Sequence, residues 1–430
     1  MGVSPLLIAA QEGLVEMTDS LLERNIPVNW RRKDGTSALT LAVLHGHYHI
    51  AQALLDGGAA VNISDVAGRT PLMAAVQEGR PDIVSLLLNR KASVNYRDNK
   101  GATALRVACE CSALIIVQDL LRSGASVDLA DDEGCTPLMA VVKEGDINLV
   151  HLLLQWNANV NRVCLNGETA LAFACDHKHL DVMRVLLVAG ADVDVANATT
   201  WTPLMKAAQK AQSGHVEVVQ LLLNYSALID KQDHNGGTAL RIAALNGHME
   251  VIRLLLDGGA AIDLADNTGW TPLLAAVFSD NVNIIRLLLD RNANIETQVN
   301  NGATALIVAA EYGYSHVAKA LLTAGAFVDA TDNEGWTALM CAAHDGRVDT
   351  VQILLDAGAR VDLHNLGGFS ALVIAVGHRH LEVVRLLLQH GADIQWQDYA
   401  SGSTLLSVAQ GSGNGEVVQL IQEQNHLRCH

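Results

Sequence analysis

Paired histidines and cysteines are the residues of this sequence whose spacing comes closest to that of metal ligands. The pattern His-x-His occurs three times, at residues 45/47, 177/179 and 378/380. A zinc site needs three or four ligands that converge on one point. The three pairs lie far apart along the stack, and their surroundings supply no converging third and fourth ligand. Cys109-Glu110-Cys111 also differs from the Cys-x-x-Cys spacing of zinc-binding loops. We therefore predict no metal site, and we assign the cysteine pair a structural role.

Motifs that position a catalytic nucleophile or a nucleotide phosphate are absent from the sequence. There is no Gly-x-Ser-x-Gly elbow, in which a serine is exposed between a strand and a helix. There is also no glycine-rich loop followed by Lys-Ser or Lys-Thr, the pattern that holds phosphate groups. We therefore predict that this chain is not an enzyme and that it uses no cofactor.

Large aromatic side chains recur at one position of a repeated motif and are candidates for partner binding. The position is predicted to face outward at the tip of a loop, where aromatic residues are common anchors for other proteins. The alternative is that each ring packs on a neighbouring loop. The candidates at this position are Trp201, Trp270, Trp336 and Phe369, together with Arg69 in an earlier copy of the motif.

The motif that carries these residues divides the whole chain into units of equal length. Every step between motifs is 33 residues, except those from 200 to 236 and from 368 to 402. A fixed period of this length indicates a stack of small structural units. We predict one domain, a single solenoid over residues 1–430. The motif Gly-x-Thr/Ser-Pro/Ala-Leu begins at or near residues 2, 35, 68, 101, 134, 167, 200, 236, 269, 302, 335, 368 and 402.

Each part of the unit favours a pair of short helices. The Thr or Ser at the third position can cap a helix N-terminus, and proline follows it in five units, at the first helical position, where its missing N–H costs nothing. Residues 71–78 are predicted to form a first helix and residues 82–89 a second one that contains a Leu-Leu pair. Helices this short are unstable alone, so they must be stabilised by the neighbouring units.

The thirteen units resemble ankyrin repeats over the whole length of the chain. The resemblance implies an all-α solenoid in which each repeat has two antiparallel helices and a projecting finger loop, wound into a curved superhelix. It also implies that protein or peptide partners bind the concave face, formed by finger tips and first helices. The family usually has histidine directly after Pro-Leu, whereas here this position holds residues such as Met73, Arg106 and Ile307. We expect apolar contacts to replace the polar bridging of that histidine.

Charge and composition narrow the class of partner. The formal net charge of −17 repels nucleic acid and anionic lipid, and it favours a protein partner with a basic face. No apolar run is long enough to cross a membrane, and no targeting segment is evident, so we expect a cytoplasmic or nuclear protein without membrane insertion. The sequence predicts a binding scaffold or adaptor. The alternatives are the recognition region of a larger kinase, channel or ligase, and an inhibitor of an enzyme.

Two irregularities accompany the regular period. Odd and even repeats alternate, because the residue that ends the second helix is glycine in even repeats and is mostly Asn, Lys or Ser in odd ones. In the seventh repeat Thr200 replaces the turn glycine, and three residues are inserted within 209–214. Since a β-branched residue is poorly suited to positive φ, we expect this finger to take another turn shape. We also expect a local change of superhelical curvature at the insertion.

Overall fold

The computed structural model describes residues 4–210, 215–397 and 402–428, which contain thirteen consecutive helix pairs and only isolated β-bridges. The predicted all-α repeat fold is confirmed. None of the described helices is both long and apolar enough to span a membrane. The helices are α1 Pro5–Glu12, α2 Val15–Glu23, α3 Ala38–Leu44, α4 Tyr48–Asp56, α5 Pro71–Gln77, α6 Pro81–Asn89, α7 Ala104–Glu110, α8 Leu114–Arg122, α9 Pro137–Glu144, α10 Ile147–Gln155, α11 Ala170–His177, α12 Leu180–Val188, α13 Pro203–Lys210, α14 His215–Asn224, α15 Ala239–Asn246, α16 Met249–Asp257, α17 Pro272–Phe278, α18 Val282–Asp290, α19 Ala305–Tyr312, α20 Ser315–Thr323, α21 Ala338–His344, α22 Val348–Asp356, α23 Ala371–Gly377, α24 Leu381–Gln389, α25 Leu405–Ser412 and α26 Gly415–Arg428.

The chain forms two compact bodies. The N-terminal body comprises Met1–Ala207 with Gln220–Ala227, and the C-terminal body comprises Ala208–Val219 with Leu228–His430. Inside each body, first helices pack against the first helices of adjacent repeats, as α7 does on α9 and α19 does on α21. Leucines such as Leu105 and Leu306 fill the space between these helices and are almost fully buried. The single solenoid over residues 1–430 stays a prediction.

The Thr or Ser before each first helix acts as its N-cap. In eleven of the thirteen repeats its hydroxyl oxygen accepts a hydrogen bond from the backbone N–H three residues on, as Thr70 does from Met73 at 3.3 Å. Ser4 and Ser370 occupy the same position without this bond. Each cap contributes about 1 kcal/mol to the stability of a helix of only two turns, so the caps fix where the first helices begin.

Backbone hydrogen bonds join residues that are 32 apart in neighbouring fingers, and within each body these bonds recur every 33 residues. In the N-terminal body, the N–H of Leu165 donates to the carbonyl of Glu133, and the N–H of Ala198 donates to the carbonyl of Asn166, both at 2.8 Å. In the C-terminal body, Asn333 N–H donates to Asn301 O at 2.9 Å. The finger glycine lies beside the next rung, since a Cβ on Gly167 would be only 2.6 Å from Ala198 N. The fingers therefore stack through a ladder of backbone hydrogen bonds, to which side chains such as those of Asn99 and Asn333 add further bonds.

The second histidine of each His-x-His pair links two repeats. The Nε2 atoms of His47, His179 and His380 lie 3.1, 3.2 and 2.8 Å from carbonyl oxygens at or near the end of the preceding repeat's first helix. The first histidine of each pair stacks on the second, with ring centroids 5.8 to 6.2 Å apart. These histidines thus serve the junctions between repeats. The linking ring covers the preceding turn glycine, because a Cβ on Gly145 would lie 2.6 Å from the His179 ring.

The alternation of odd and even repeats conceals one shared backbone conformation. Glycines such as Gly58, Gly124 and Gly190 follow the second helices of even repeats with φ of 87° to 89°. The corresponding residues of the first five odd repeats adopt the same left-handed region without being glycine, with φ between 55° and 65°, and they are Asn25, Lys91, Asn157, Ser226 and Asn292. The odd repeats therefore make the same turn at a cost in conformational strain.

The expectation of a different turn at Thr200 is wrong. Thr200 has a φ of 63° and its N–H donates to Asn197 O, as turn glycines do in other fingers. The Asn197 side chain also accepts the backbone N–H of Trp201 at 2.9 Å. These bonds impose the usual turn and outweigh the poor fit of a β-branched residue. The inserted segment includes residues 211–214, which lie outside the described residues, so the predicted change of curvature stays a prediction.

Replacing Thr200 with glycine is expected to stabilise the protein by about 1 kcal/mol, because glycine adopts a left-handed backbone without steric penalty. Urea unfolding of the full chain, followed by far-UV circular dichroism, measures the change. A Thr200→Ala variant is the control, since alanine keeps most of the backbone strain. Equal stability of the glycine and alanine variants would show that Thr200 is not strained.

Candidate functional site: the finger and first-helix face

Finger tips and first helices together line open cavities in each body, and we call this surface the finger–helix face. In the N-terminal body one cavity of about 770 Å3 is bounded by finger residues such as Arg69 and Asp132 and by first-helix residues such as Arg106 and Glu110. In the C-terminal body two smaller cavities, of about 180 and 270 Å3, surround Trp270 and Trp336. Three of the five predicted binding residues, Arg69, Trp270 and Trp336, thus line cavities on this face.

Arg69 is already engaged within its own finger. Its Nη2 lies 2.8 Å from Asp65 Oδ2, while Asp65 Oδ1 accepts the backbone N–H of Arg69 at 2.8 Å. About half of the arginine side chain remains exposed and borders the cavity. Arg69 therefore presents a cation whose position is fixed by the finger turn. Its role in partner binding stays a prediction.

Arg106 neutralises two carboxylates on the floor of the same cavity. Its Nε lies 2.9 Å from Asp131 Oδ2 in the next finger, without hydrogen-bond alignment, and its Nη1 lies 3.0 Å from Glu110 Oε1. Only 17% of the Arg106 side chain is exposed. The first helix of one repeat thus supplies the counter-ion for the finger of the next.

Lys206 forms a second internal charge cluster in the N-terminal body. Its Nζ lies 2.6 Å from Glu168 Oε1 and 2.6 Å from Asp176 Oδ2, and all three side chains are largely buried. Burial alone would lower the pKa of Lys206, but the hydrogen bonds to Asp176 and Glu168 outweigh it and raise the pKa above its ordinary value. This cluster was not predicted from the sequence. A signal existed, because the same first-helix position is Ala140 or Ala275 in other repeats.

Trp270 begins an aromatic row on the C-terminal body. Its ring contacts Phe278 edge to face at 5.6 Å, and Phe278 contacts Tyr312 in the same way at 5.5 Å. Trp270 is half-buried, whereas Phe278 and Tyr312 are each 42% exposed. Phe278 and Tyr312 were not predicted from the sequence. Each is the last residue of the first helix in its repeat, so a comparison of that position across repeats would have shown them. Both rings add apolar surface to the face.

The cavity beside Trp270 contains its own positive charge. Arg241 lines it together with Leu245, Ala275 and Phe278, and its Nε lies 3.5 Å from Asp266 Oδ2. Burial would raise the pKa of Asp266, but hydrogen bonds from Thr268 and Trp270 and the charge of Arg241 hold that pKa below its usual value. The carboxylate at this finger is therefore ionised and compensated.

The cavity beside Trp336 is lined by carboxylates and, unlike the cavity beside Trp270, has no arginine or lysine among its described lining residues. Trp336 contacts His344 edge to face at 5.7 Å, and the wall contains Glu311, Asp332 and Glu334. The pKa of Cys341 is raised to about 12 by burial and then by the charges of Glu311, Asp332 and Asp345. This cysteine is consequently a neutral thiol at the edge of a negatively charged cavity.

Two further ring contacts continue along the C-terminal body. The rings of His344 and His378 lie 4.1 Å apart, and burial, followed by the charges of His344 and His380, lowers the pKa of His378. Phe369 is 40% exposed and leans on Trp396 with centroids 5.8 Å apart. Phe369 thus packs on a neighbouring finger, as the alternative made from the sequence expected, and it also keeps an exposed edge. Trp201, in the N-terminal body, is half-buried.

One group of metal-ligand types comes together in the described part of the chain, formed by Asp131, Glu133 and Cys135. Its oxygens are already used, because Asp131 Oδ1 accepts the backbone N–H groups of Glu133 and Cys135 while Oδ2 pairs with Arg106. Cys109 is fully buried and Cys111 is exposed, so these two thiols do not form a shared site. The acidic group is explained by the finger turn.

Curated proteins match the chain over a short segment only. A probable E3 ubiquitin-protein ligase, XBOS33 of Oryza sativa subsp. japonica, is 44% identical over 73 residues, which is 17% of this chain and 14% of that protein. A second probable ligase from the same organism, XBOS32, is 37% identical over 75 residues, again 17% of this chain and 14% of the relative. The matched segment thus covers about one seventh of the length of each relative.

A solved structure and a family model match much more of the chain. The ankyrin repeat domain of Bcl-3 aligns with 51% of this chain and 99% of its own, at 28% identity and a TM-score of 0.46. The family model described as "Ankyrin repeats (3 copies)" matches residues 1–65, 57–131, 105–197, 138–233, 186–266, 204–299, 292–365 and 357–428. Together these matches extend from end to end, and the chain belongs to the ankyrin repeat family.

Proposed function

We propose that this protein is a non-catalytic scaffold or adaptor that binds a protein or an extended peptide on the finger–helix face. Ankyrin repeats are generally protein–protein interaction modules. The observation that carries the proposal is the aromatic surface of the C-terminal body, where Trp270, Phe278 and Tyr312 form a row on that face. Exposed aromatic rings of this kind are typical anchors, because they bury much apolar area at little cost in conformational entropy.

Charge supports a partner with a basic surface. The chain carries a formal net charge of −17, and the cavity at Trp336 is lined by carboxylates. Such a potential accelerates association with a cationic protein and repels the phosphates of nucleic acid. We place the protein in the cytoplasm or nucleus on this proposal, as a soluble adaptor that acts by bringing partners together.

A second candidate function is partner recognition within a larger enzyme. The similarity to two probable E3 ubiquitin-protein ligases favours a ligase over other classes. That activity would depend on parts outside the matched segment, which is 17% of this chain. Ubiquitin transfer assayed with the full chain and purified activating and conjugating enzymes distinguishes the two functions. Transfer to a captured partner would favour the ligase, and capture without transfer would favour the adaptor.

The proposed function predicts that replacing Trp201, Trp270, Trp336 and Phe369 by alanine weakens partner binding by about 100-fold or more. Affinity capture from cell extract, quantified by mass spectrometry, identifies the partner, and calorimetry with the purified partner measures the loss. Far-UV circular dichroism reports whether the helices remain.

The matched control removes aromatic rings that lie elsewhere. Trp156 and Tyr225 follow the second helices α10 and α14 and are 43% and 38% exposed. The double variant Trp156→Ala/Tyr225→Ala is expected to bind the partner as the unmodified chain does. Equal affinity of the quadruple variant and the unmodified chain would contradict binding on the finger–helix face.

A further inference from the structure

At three junctions between a first helix and a neighbouring finger or repeat, an arginine or lysine of the chain pairs with carboxylates. Arg106 pairs with Asp131 of the next finger, and Arg241 pairs with Asp266 in the same register. In a second register, Lys206 fills the space between Glu168 and Asp176 of the preceding repeat. At these three junctions the carboxylates are therefore compensated by cations of the chain itself.

The cavity at Trp336 has the carboxylates of these sites without their cations. Ile307 stands at the position that Arg106 and Arg241 occupy in their repeats, five residues after the turn glycine. Cys341 stands at the position of Lys206, six residues after the start of its repeat, and Glu311 stands at the position of Asp176. Over the residues that the structure describes, no lysine or arginine forms an ion pair with Glu311, Asp332 or Glu334.

The causes of the raised pKa values of the cysteines beside these sites show the same difference. The pKa of Cys109 is raised chiefly by burial, and the charge of Arg106 acts against that rise. The pKa of Cys175 is likewise raised by burial, and Lys206 opposes the rise. At Cys341 burial and three carboxylates all raise the pKa, and no cation opposes them. The Trp336 cavity thus has a negative potential that the chain leaves unbalanced.

We propose that the Trp336 cavity binds the side chain of an arginine from the protein partner. The volume of about 270 Å3 is open to the surface and contains one aromatic wall together with the carboxylates. A guanidinium group can stack on the indole while its N–H groups donate to carboxylates, which a compact ammonium group cannot do in the same way. This inference rests on the proposed function and specifies the chemistry of the partner.

The aromatic row and this cavity then have different roles. Phe278 and Tyr312 supply apolar contact. Glu311 and Asp332 select a cation in the adjoining Trp336 cavity. An arginine that enters the cavity takes the place held by Arg106 and Arg241 at their own junctions, so the partner completes a pattern that the chain builds elsewhere by itself. Discrimination against neutral residues follows, because they would leave the carboxylates unpaired.

A titration with acetyl-arginine amide tests the site without knowledge of the partner. The probe is added to the full ¹⁵N-labelled chain while the indole N–H resonance of Trp336, assigned with a Trp336→Phe variant, is followed by NMR. We expect saturable shifts with the arginine probe and none with acetyl-citrulline amide, which has the same shape without charge. Acetyl-lysine amide is expected to bind at least fivefold more weakly.

Two variants distinguish specific binding from general attraction to an acidic surface. Asp332→Asn retains the finger turn, since Asn197 and Asn365 accept the same backbone bonds in their fingers. Ile307→Arg introduces the internal cation of other repeats. Each is expected to weaken arginine binding about tenfold or more, as the loss or prior occupation of a charged acceptor implies. Asp98→Asn, in the N-terminal body, is the control and should leave binding unchanged.

Equal binding of arginine and citrulline probes, tighter binding of lysine, or equal affinity in Asp332→Asn would each overturn the inference. Should Ile307→Arg fail to fold, Glu311→Gln on the exposed surface serves in its place. Partner capture separates this inference from the proposed function. A partner that is lost with the quadruple aromatic variant and retained by Asp332→Asn leaves the adaptor function intact and refutes the arginine site.

Discussion

Lys206→Met is expected to lower the free energy of unfolding by about 3 kcal/mol, because it removes the cation that pairs with both Glu168 and Asp176 in a largely buried cluster. The side chains of Lys206, Glu168 and Asp176 are only 12%, 10% and 18% exposed, so water cannot replace the lost ion pairs. Methionine retains most of the lysine volume, and the change therefore isolates the charge. Urea unfolding of the full chain measures the loss, and hydrogen exchange in helices α11 and α13 locates it.

Lys319→Met on helix α20 is the matched control, since Lys319 is exposed. We expect it to change stability by less than about 0.5 kcal/mol. Adding Glu168→Gln and Asp176→Asn to Lys206→Met should recover most of the stability, because amides need no counter-ion. The same loss in the Lys206 and Lys319 variants would mean that the buried cluster contributes nothing specific.

Gly167→Ala is expected to destabilise the N-terminal body by about 2 to 4 kcal/mol through two additive effects. Gly167 has a φ of 78°, which costs an alanine backbone energy. The new Cβ would also lie 2.6 Å from Ala198 N and 2.8 Å from Asn197 C, both backbone atoms that cannot turn aside. The neighbouring fingers must therefore move apart, which weakens the bond between Ala198 N–H and Asn166 O. Thermal unfolding and amide exchange at Ala198 measure both consequences.

Gly190→Ala provides the comparison for this variant. Gly190 has a φ of 89°, and nothing lies within 4 Å of the position that its Cβ would take. It should lose only the conformational part, about 1 to 2 kcal/mol, and leave exchange at Ala198 unchanged. If the two alanine variants lose the same stability, close stacking of the fingers is not what requires glycine at residue 167.

Local features of the fold could be predicted from the sequence, because each depends on residues close together in the chain. The helices of the third repeat begin and end within a few residues of the predicted positions, and the prolines at residues 71 and 137 each begin a helix as expected. The turn at Thr200 could not be predicted in this way. Its conformation is fixed by Asn197, whose carbonyl accepts the N–H of Thr200 and whose side chain accepts the N–H of Trp201.

The candidate site was predicted only in part. The period of the sequence indicated that Trp270, Trp336 and Phe369 occupy one kind of position, and the backbone N–H of each donates to a side chain four residues earlier. Their part in binding stays a prediction. The neighbours of those rings, such as Phe278 and His344, belong to another part of the repeat, and their contacts depend on how the helix and finger pack. Pairings such as that of Arg106 with Asp131 join a first helix to the finger that follows it, and the spacing of the sequence does not reveal them.

Finger stacking through backbone atoms has a consequence for how such a protein acquires new specificity. The donor position of the ladder holds Leu165, Ala198, Asn267 and Leu366, which differ in size and polarity while making the same bond. Substitutions at the exposed tips therefore leave the spacing of the repeats unchanged. Mutation can alter which molecules are recognised one finger at a time, and the framework that presents those fingers does not have to be rebuilt.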